Sequence, residues 1–435
     1  MASASSFLVH QGAADVSVND NQTRFAPVGG PFIIRTTEAE VEGPVRDACT
    51  FKNLWINITS NTASNTSTVT IRKSRADTAV IISVGAGATG ILEDTVNSVA
   101  FAATDEASLE LTIPSESGTH TIAYKNWGVE VVNGTANAPL SFMANAGASP
   151  PNFNAVTTYY VKPNSGTGAN TTEANQKYRI RSACTAKDLY CYVTSNSINL
   201  TNTVVTSRVN GAAGAQTFNI GAAATGAFEV SSGSDSLAVG DDFDIEIAVG
   251  TATGAIVMSR ISCTLKSTNN TFHMLSGVHA GTTLAVAFNT TTYSAAAGDL
   301  TGVSTTESDV ALYPRVDFTA KELCAFVSAN TIATSNSTIT LRDNLADSSV
   351  VLTIGAGATG IFTDSSNTAT ITAGTDEIDY KIVTPNTSGT LTLRWISSIG
   401  EVAAEAVTVV GPLIHNGYTG HLLFSGALVG GRIIQ

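Results

Sequence analysis

The run Gly85-Ala86-Gly87-Ala88-Thr89-Gly90 returns near the far end of the chain as Gly355-Ala356-Gly357-Ala358-Thr359-Gly360. Between them stands a degraded copy, Gly221-Ala222-Ala223-Ala224-Thr225-Gly226. The closing glycines are 136 and 134 residues apart. A second marker, Lys52-Asn53-Leu54, Lys187-Asp188-Leu189 and Lys321-Glu322-Leu323, repeats at 135 and 134. Two independent markers with one period predict three tandem copies of a module, over 1–134, 135–269 and 270–404. Residues 405–435 have no counterpart and form an apolar C-terminal extension.

The hexapeptide also matches the glycine fingerprint of dinucleotide sites. That fingerprint works only where a helix follows, so that the pyrophosphate meets the helix N-terminus. Here Ile91-Leu92-Glu93-Asp94-Thr95 and Ile361-Phe362-Thr363-Asp364-Ser365 follow, with no helical periodicity. The expected structure is a tight turn between strands, where glycine takes positive φ at no steric cost.

Strand patterns recur at the same period. Leu54-Trp55-Ile56, Leu189-Tyr190-Cys191 and Leu323-Cys324-Ala325 read as strands buried on both faces. Each ends at Asn61, Asn196 or Asn330. Plain alternation follows in Thr68-Val69-Thr70-Ile71-Arg72, Val204-Val205-Thr206-Ser207-Arg208 and Thr338-Ile339-Thr340-Leu341-Arg342, as in a half-solvated antiparallel strand. A hairpin with its tip at 73–79 leads to the glycine turn. A polar crossing and a short strand, such as Ser98-Val99-Ala100-Phe101, come next. Helix signal is confined to a turn or two at 36–42 and 401–407. The expectation is an all-β chain of three antiparallel β-sandwich domains, jelly-roll-like, with the immunoglobulin-type strand order as the alternative.

The chain has 435 residues, a net charge of −13 and only 13% charged side chains. No basic stripe exists, which argues against nucleic-acid partners. The acidic balance argues against an anionic membrane surface. The N-terminus shows neither a signal peptide nor a membrane-spanning run. Of the five cysteines, Cys49, Cys184, Cys191, Cys263 and Cys324, the first two share a repeat position with Phe318 and the third shares one with Ile56 and Ala325, so they read as buried free thiols, not as a disulfide framework.

Each copy carries an acidic pair ahead of an alternating strand: Asp105-Glu106, Asp241-Asp242 and Asp376-Glu377. Paired carboxylates are calcium candidates. The competing reading is a turn in which Asp caps its own backbone, and it is preferred because no third oxygen cluster recurs beside them. No cofactor is expected. Catalysis is not expected either: His10, His120, His273, His279, His415 and His421 are scattered, and the one loose grouping joins His273 and His279 to Asp299 and Glu307. In the extension, Leu422-Leu423-Phe424 and Ile433-Ile434 are candidate assembly contacts or an edge cover for the third domain.

The order of strand, Thr-rich strand ending in Arg, Asn-Gly turn, strand, Gly-x-x-x-Thr-Gly turn and Gly-Asp turn resembles jelly-roll modules in structural proteins of tailed bacteriophages. The second copy is nearest, with Ser207-Arg208-Val209-Asn210-Gly211, Ala224-Thr225-Gly226 and Val239-Gly240-Asp241. The other copies depart at Lys73-Ser74 and Asp343-Asn344 and at Thr104 and Thr375. The resemblance implies a non-enzymatic virion component (decoration, fibre or appendage) that assembles with itself as a homotrimer or higher and with other virion proteins. The runner-up is an array of carbohydrate-binding modules contacting a host-surface glycan. That array needs exposed aromatic platforms, whereas Trp55, Trp127 and Trp395 fall in strand positions that read as core.

Overall fold

Every element that the alternating patterns predict is a strand. The structure is a computed structural model. It describes residues 6–28, 34–45, 48–133, 152–161, 169–180, 183–230, 232–251, 253–267, 272–278, 284–296, 298–299, 303–307, 310–311, 317–372, 375–385 and 387–401. The first copy comprises β1 (Ser6–Asn19), β2 (Gln22–Ala26), β3 (Gly43–Pro44), β4 (Cys49–Asn61), β5 (Ser67–Lys73), β6 (Ala76–Val84), β7 (Gly90–Phe101), β8 (Glu106–Ile113) and β9 (Thr121–Asn133). One sheet has the order β1-β9-β4-β7 and the other β2-β8-β5-β6, with β3 beside β8. Setting aside the two-residue β3, one sheet takes the first, eighth, third and sixth strands in chain order. The other takes the second, seventh, fourth and fifth. This nested order is that of a long hairpin rolled on itself, a jelly roll, and not the immunoglobulin order.

The same order recurs twice. Residues 152–267 place Asn152–Asn154, Ala255–Ser267, Cys184–Asn196 and Gly226–Glu229 in one sheet, and Thr158–Val161, Asp242–Ala248, Thr203–Val209 and Ala212–Ile220 in the other. Residues 272–401 place Phe272–Val278, Thr390–Glu401, Phe318–Asn330 and Gly360–Ile371 together, facing Thr291–Ala295, Ile378–Val383, Ser337–Asp343 and Ala346–Ile354.

Side chains alternate across each strand, so Leu54, Ile56 and Ile58 of β4 meet Val69 and Ile71 of β5 and Leu109 and Leu111 of β8 between the sheets. Burying each such side chain contributes about 1.5–3 kcal/mol. Trp127, Phe51 and Tyr124 complete this core. The third copy has a core of its own. The core of the second also takes in Cys324, Phe326 and Trp395 of the third. All five cysteines are free and buried.

Three local expectations change. The hairpin tip is narrower than 73–79. Ser74 and Arg75 both have positive φ, 46° and 68°, as do Asn210-Gly211 (52° and 83°) and Asn344-Leu345 (49° and 61°). That is the mirror-image two-residue turn, whose twist matches the flanking strands. The polar crossing after the glycine turn is itself strand in the outer copies, continuous from Gly90 to Phe101 and from Gly360 to Ile371. In the second copy it is interrupted between Glu229 and Ser234. The helical turn at 36–42 is a single 3-10 turn, Glu38–Glu40. Residues 402–407 lie outside the described residues.

Candidate functional site

The repeated polar residues converge on three structural fastenings, each built in every copy. The first locks the glycine turn. Asn61, at the end of β4, donates Nδ2 to the carbonyls of Gly85 (3.0 Å) and Ala88 (3.1 Å), while its Oδ1 accepts the Ala63 N–H at 2.9 Å. Asn196 grips Gly221 and Ala224 in the same way, and Asn330 grips Gly355 and Ala358. Within the turn, Gly87 and Gly357 take φ of 67°. In the second copy Ala223 is held there at φ 56°. A strand, not a helix, begins at Gly90, Gly226 and Gly360, so the pyrophosphate geometry is missing.

The second fastening is the acidic pair. Asp105 accepts the Ala102 N–H at 2.6 Å and pairs with Lys73 at 3.0 Å. Asp241 accepts the Ala238 N–H at 2.7 Å and Asn210 Nδ2 at 2.8 Å. Asp376 accepts the Thr372 N–H at 2.5 Å and Asn344 Nδ2 at 2.8 Å. The first acid thus closes its own turn and ties it to the neighbouring hairpin. Hydrogen bonding, from Asn210 and then the Ala238 N–H, holds the Asp241 carboxyl below the usual range. The Thr372 N–H does most to lower Asp376. Of the second acids, Asp242 pairs with Arg179 at 2.8 Å. Glu106 and Glu377 enter the same tie through their backbone N–H groups, on Ser74 and Asn344. Among the described residues no group of three or more His, Cys, Asp and Glu is arranged to hold a metal ion.

The third fastening is an arginine fan. Arg72 reaches Glu38 with two bonds of 3.1 Å, Glu110 at 3.0 Å, Asp77, and the Arg75 carbonyl. Arg208 reaches Glu173 (3.3 and 3.4 Å), Glu246 (3.2 Å) and the Gly211 carbonyl. Arg342 reaches Glu307 (2.7 and 3.0 Å), Asp347 (2.5 Å) and the Leu345 carbonyl. The forked guanidinium binds a carboxylate through two bonds while holding the tip carbonyl. Here the copies diverge. Opposite the arginine across the strand pair stand Ser108, Asp244 and Asp379. Ser108 donates to Glu38 at 2.7 Å. Asp244 and Asp379 are buried, and none of their oxygens receives a hydrogen bond among the described residues. Burial first, then the Glu173 charge, pushes the Asp244 carboxyl up to about 8. Burial first, then Glu307, raises Asp379 as well.

A further stitch escaped the sequence reading. Asp94 on β7 accepts the Ile81 N–H of β6 at 2.9 Å, joining the edges of the two sheets, and Asp364 accepts Val351 N–H at 3.0 Å. In the second copy Asp235 takes over from the far side of the interruption, accepting Ala215 N–H (2.6 Å), Ser207 (2.6 Å) and Gln216 (3.0 Å). The Arg–Glu pairing also escaped it. Its signal was available, since Glu38, Glu173 and Glu307 recur at 135 and 134 residues, the period of the other markers.

The remaining candidates do not come together. The His120 ring bonds the Thr62 carbonyl at 2.5 Å and that of Ser117 at 3.1 Å. His10 and His273 lie on strands of different copies. His279, His415 and His421 lie outside the described residues, as do Leu422, Leu423, Phe424, Ile433 and Ile434. Glu307 is engaged with Arg342. Trp55, Trp127 and Trp395 are all buried. Among the described residues no helix is long and apolar enough to cross a membrane.

No family model matches the chain. No curated protein matches it either, so the tailed-phage resemblance rests on the turn motifs alone. Among solved structures the chain is similar to one described as "The Triple Jelly Roll Fold and Turret Assembly in an Archaeal Virus". The two are 13% identical over 90% of this chain and 91% of the other. The TM-score is 0.18.

Proposed function

We propose that the chain is a non-enzymatic structural protein of a virion, assembling with further copies of itself and with other virion proteins. One observation carries this reading. The same three fastenings are built three times, and the asparagines, acidic pairs and arginines that recur in the sequence are spent on them. The turn asparagines hold carbonyls, the acidic pairs hold N–H groups, and the arginines hold glutamates. Repetition of one scaffold extends surface and adds no reactive group. Apolar side chains available to such contacts include Ile81 on the fifth strand of the first copy and Val351 and Ile361 on the fifth and sixth strands of the third, all exposed at sheet edges. The C-terminal extension is part of the same proposal.

The test is immunogold labelling of purified virions from the source lysate, using an antibody raised against the folded chain. Labelled particles are expected. Recovery of the chain only in the particle-free fraction contradicts the reading.

A further inference from the structure

The Glu173–Asn175 turn of the second copy has two neighbours. On one side it is clamped to its own sandwich, where Glu173 accepts from Arg208 at 3.3 and 3.4 Å beside the hairpin tip. On the other side it meets the third copy, where Arg394 donates to the Asn175 carbonyl at 3.5 Å. Ala325 and Val327 fill the core of the third copy, so Cys324 and Phe326 point away from it. With Trp395 they join the core cluster of the second copy, which also contains Tyr178, just past the turn. The turn therefore sits where the two copies touch.

Beneath the clamp lies Asp244. Phe243 and Ile245 face the core of the second copy, so the side chain between them faces outward, toward the clamp. It is fully buried, and neither carboxyl oxygen receives a hydrogen bond among the described residues. The titratable and charged groups facing it are Glu173 on the turn, Lys177 just beyond it, Arg208 across the strand pair, Glu246 on its own strand and Tyr160 on Thr158–Val161. Arg208 is already shared by Glu173 and Glu246, the latter at 3.2 Å. A protonated Asp244 adds no charge to this group. An ionised one places a third carboxylate around one guanidinium. Burial and the Glu173 charge keep the proton on Asp244 until the pH reaches about 8. Above that, the group that can leave is Glu173. Asp244 and Glu246 are held in a strand paired on both sides, whereas Glu173 rides on a three-residue turn. Gln176, next along, is fully buried with neither amide atom hydrogen-bonded, a cost that ends when the segment reaches water.

We propose that the Glu173–Asn175 turn is a pH-operated latch between the second and third copies: when Asp244 ionises, Glu173 leaves Arg208, the turn swings out, and the two copies part along this face while each sandwich stays folded. With Asp244 protonated the latch is closed and the two copies move as one body. The first copy has Ser108 in the place of Asp244 and lacks the titrating group there.

Cys324 reports the opening. It is fully buried against the second copy, whereas Cys49, Cys184, Cys191 and Cys263 lie within the cores of the first and second sandwiches. The full chain is treated with a maleimide near pH 6 and near pH 9, each rate is divided by that of a cysteine peptide at the same pH, and the adducts are located by mass spectrometry. The Cys324 ratio should rise by about tenfold for each pH unit above the Asp244 pKa, with the other four thiols still protected. Asp244→Asn and Asp244→Ser should each abolish the rise, and Asp379→Asn should leave it in place. A Cys324 still protected near pH 9, all five thiols reacting together, or a rise that survives in both Asp244 variants overturns the latch. Hydrogen exchange of the unsubstituted chain is independent of those variants. Protection over 172–178 and 390–396, corrected for the intrinsic rate, should fall together across the same pH range, and unchanged protection there overturns the proposal.

Discussion

The first copy and the later two solve one packing problem with different chemistry. Under the arginine fan the first copy places Ser108, a neutral donor to Glu38. The second and third place a carboxyl there, Asp244 or Asp379, next to the Glu173 or Glu307 charge. Two carboxylates cannot both ionise cheaply in a buried site. A carboxyl that keeps its proton serves the same purpose as the serine, because a protonated Asp379 is a donor to Glu307. The lesson is that the position beside the glutamate takes a neutral group: a serine donor in the first copy, a carboxyl held protonated by burial and by the neighbouring charge in the other two.

The comparison is broken most directly by pH. The folded-state pKa of Asp244 is raised from about 3.9 in an unfolded chain to about 8. Its contribution is therefore fully present below about pH 4 and is lost as pH rises through about 8. The full effect is on the order of 5 kcal/mol, and Asp379 adds in the same direction. Calorimetry between pH 5 and 9 should show the chain losing stability as pH rises. Asp244→Ser with Asp379→Ser should remove most of that slope, and Ser108→Asp should bring it to the first copy. The charges facing Asp244 are Glu173, Arg208, Lys177 and Glu246, and those facing Asp379 are Glu307, Arg342 and Glu377. An unchanged slope in the double variant would refute the assignment. The acid limb has the opposite sign. Asp241 and Asp376 are lowered, so their contribution is present above about pH 4 and is lost below it.

The next largest effect comes from the fan itself. Arg342→Ala leaves Glu307 nearly buried without its partner and should cost about 3–5 kcal/mol. Urea melts of Arg72→Ala and Arg342→Ala sharpen the comparison, because Ser108 donates to Glu38 at any pH, whereas Asp379 donates to Glu307 only while it keeps its proton. The Arg342 variant should lose more than the Arg72 variant once the pH is alkaline. Smaller again is the turn lock. Asn330→Ala abandons two carbonyls and should cost about 1–3 kcal/mol, and Asn330→Asp should not restore it, since a carboxylate cannot donate to them. The smallest change runs the other way. Ala223→Gly relieves a left-handed alanine and should raise the stability of the second copy by about 1 kcal/mol, whereas Gly87→Ala should lower that of the first. Thermal shifts of opposite sign are the readout.

The repeat, the strand alternation and the glycine turn were legible because each is written in local periodicity. Strand order was a preference, since it depends on which distant strands pair. The continuous β7 was hidden because Asp94 and Asn97 look like a loop when read locally. The bond of Asp94 to the Ile81 N–H of the neighbouring strand, with its local bonds to the Val96 and Asn97 N–H groups of its own bulge, makes a polar run into an edge strand. The acidic pairs were read as self-capping turns, and the structure gives their first members that bond. Their link to the hairpin tip through Lys73, Asn210 or Asn344 joins residues about thirty positions apart, and no spacing rule covers it. The face of Trp55 was read as buried on both sides, but what lies over it is a matter of tertiary arrangement.

The central claim is that one jelly roll, fastened by one set of polar bonds, is built three times. An experimental density map near pH 6 tests it directly. The account predicts the sheet order first-eighth-third-sixth in each copy, with Arg72, Arg208 and Arg342 on Glu38, Glu173 and Glu307. A copy with another strand order, or with its arginine turned to solvent, would contradict it.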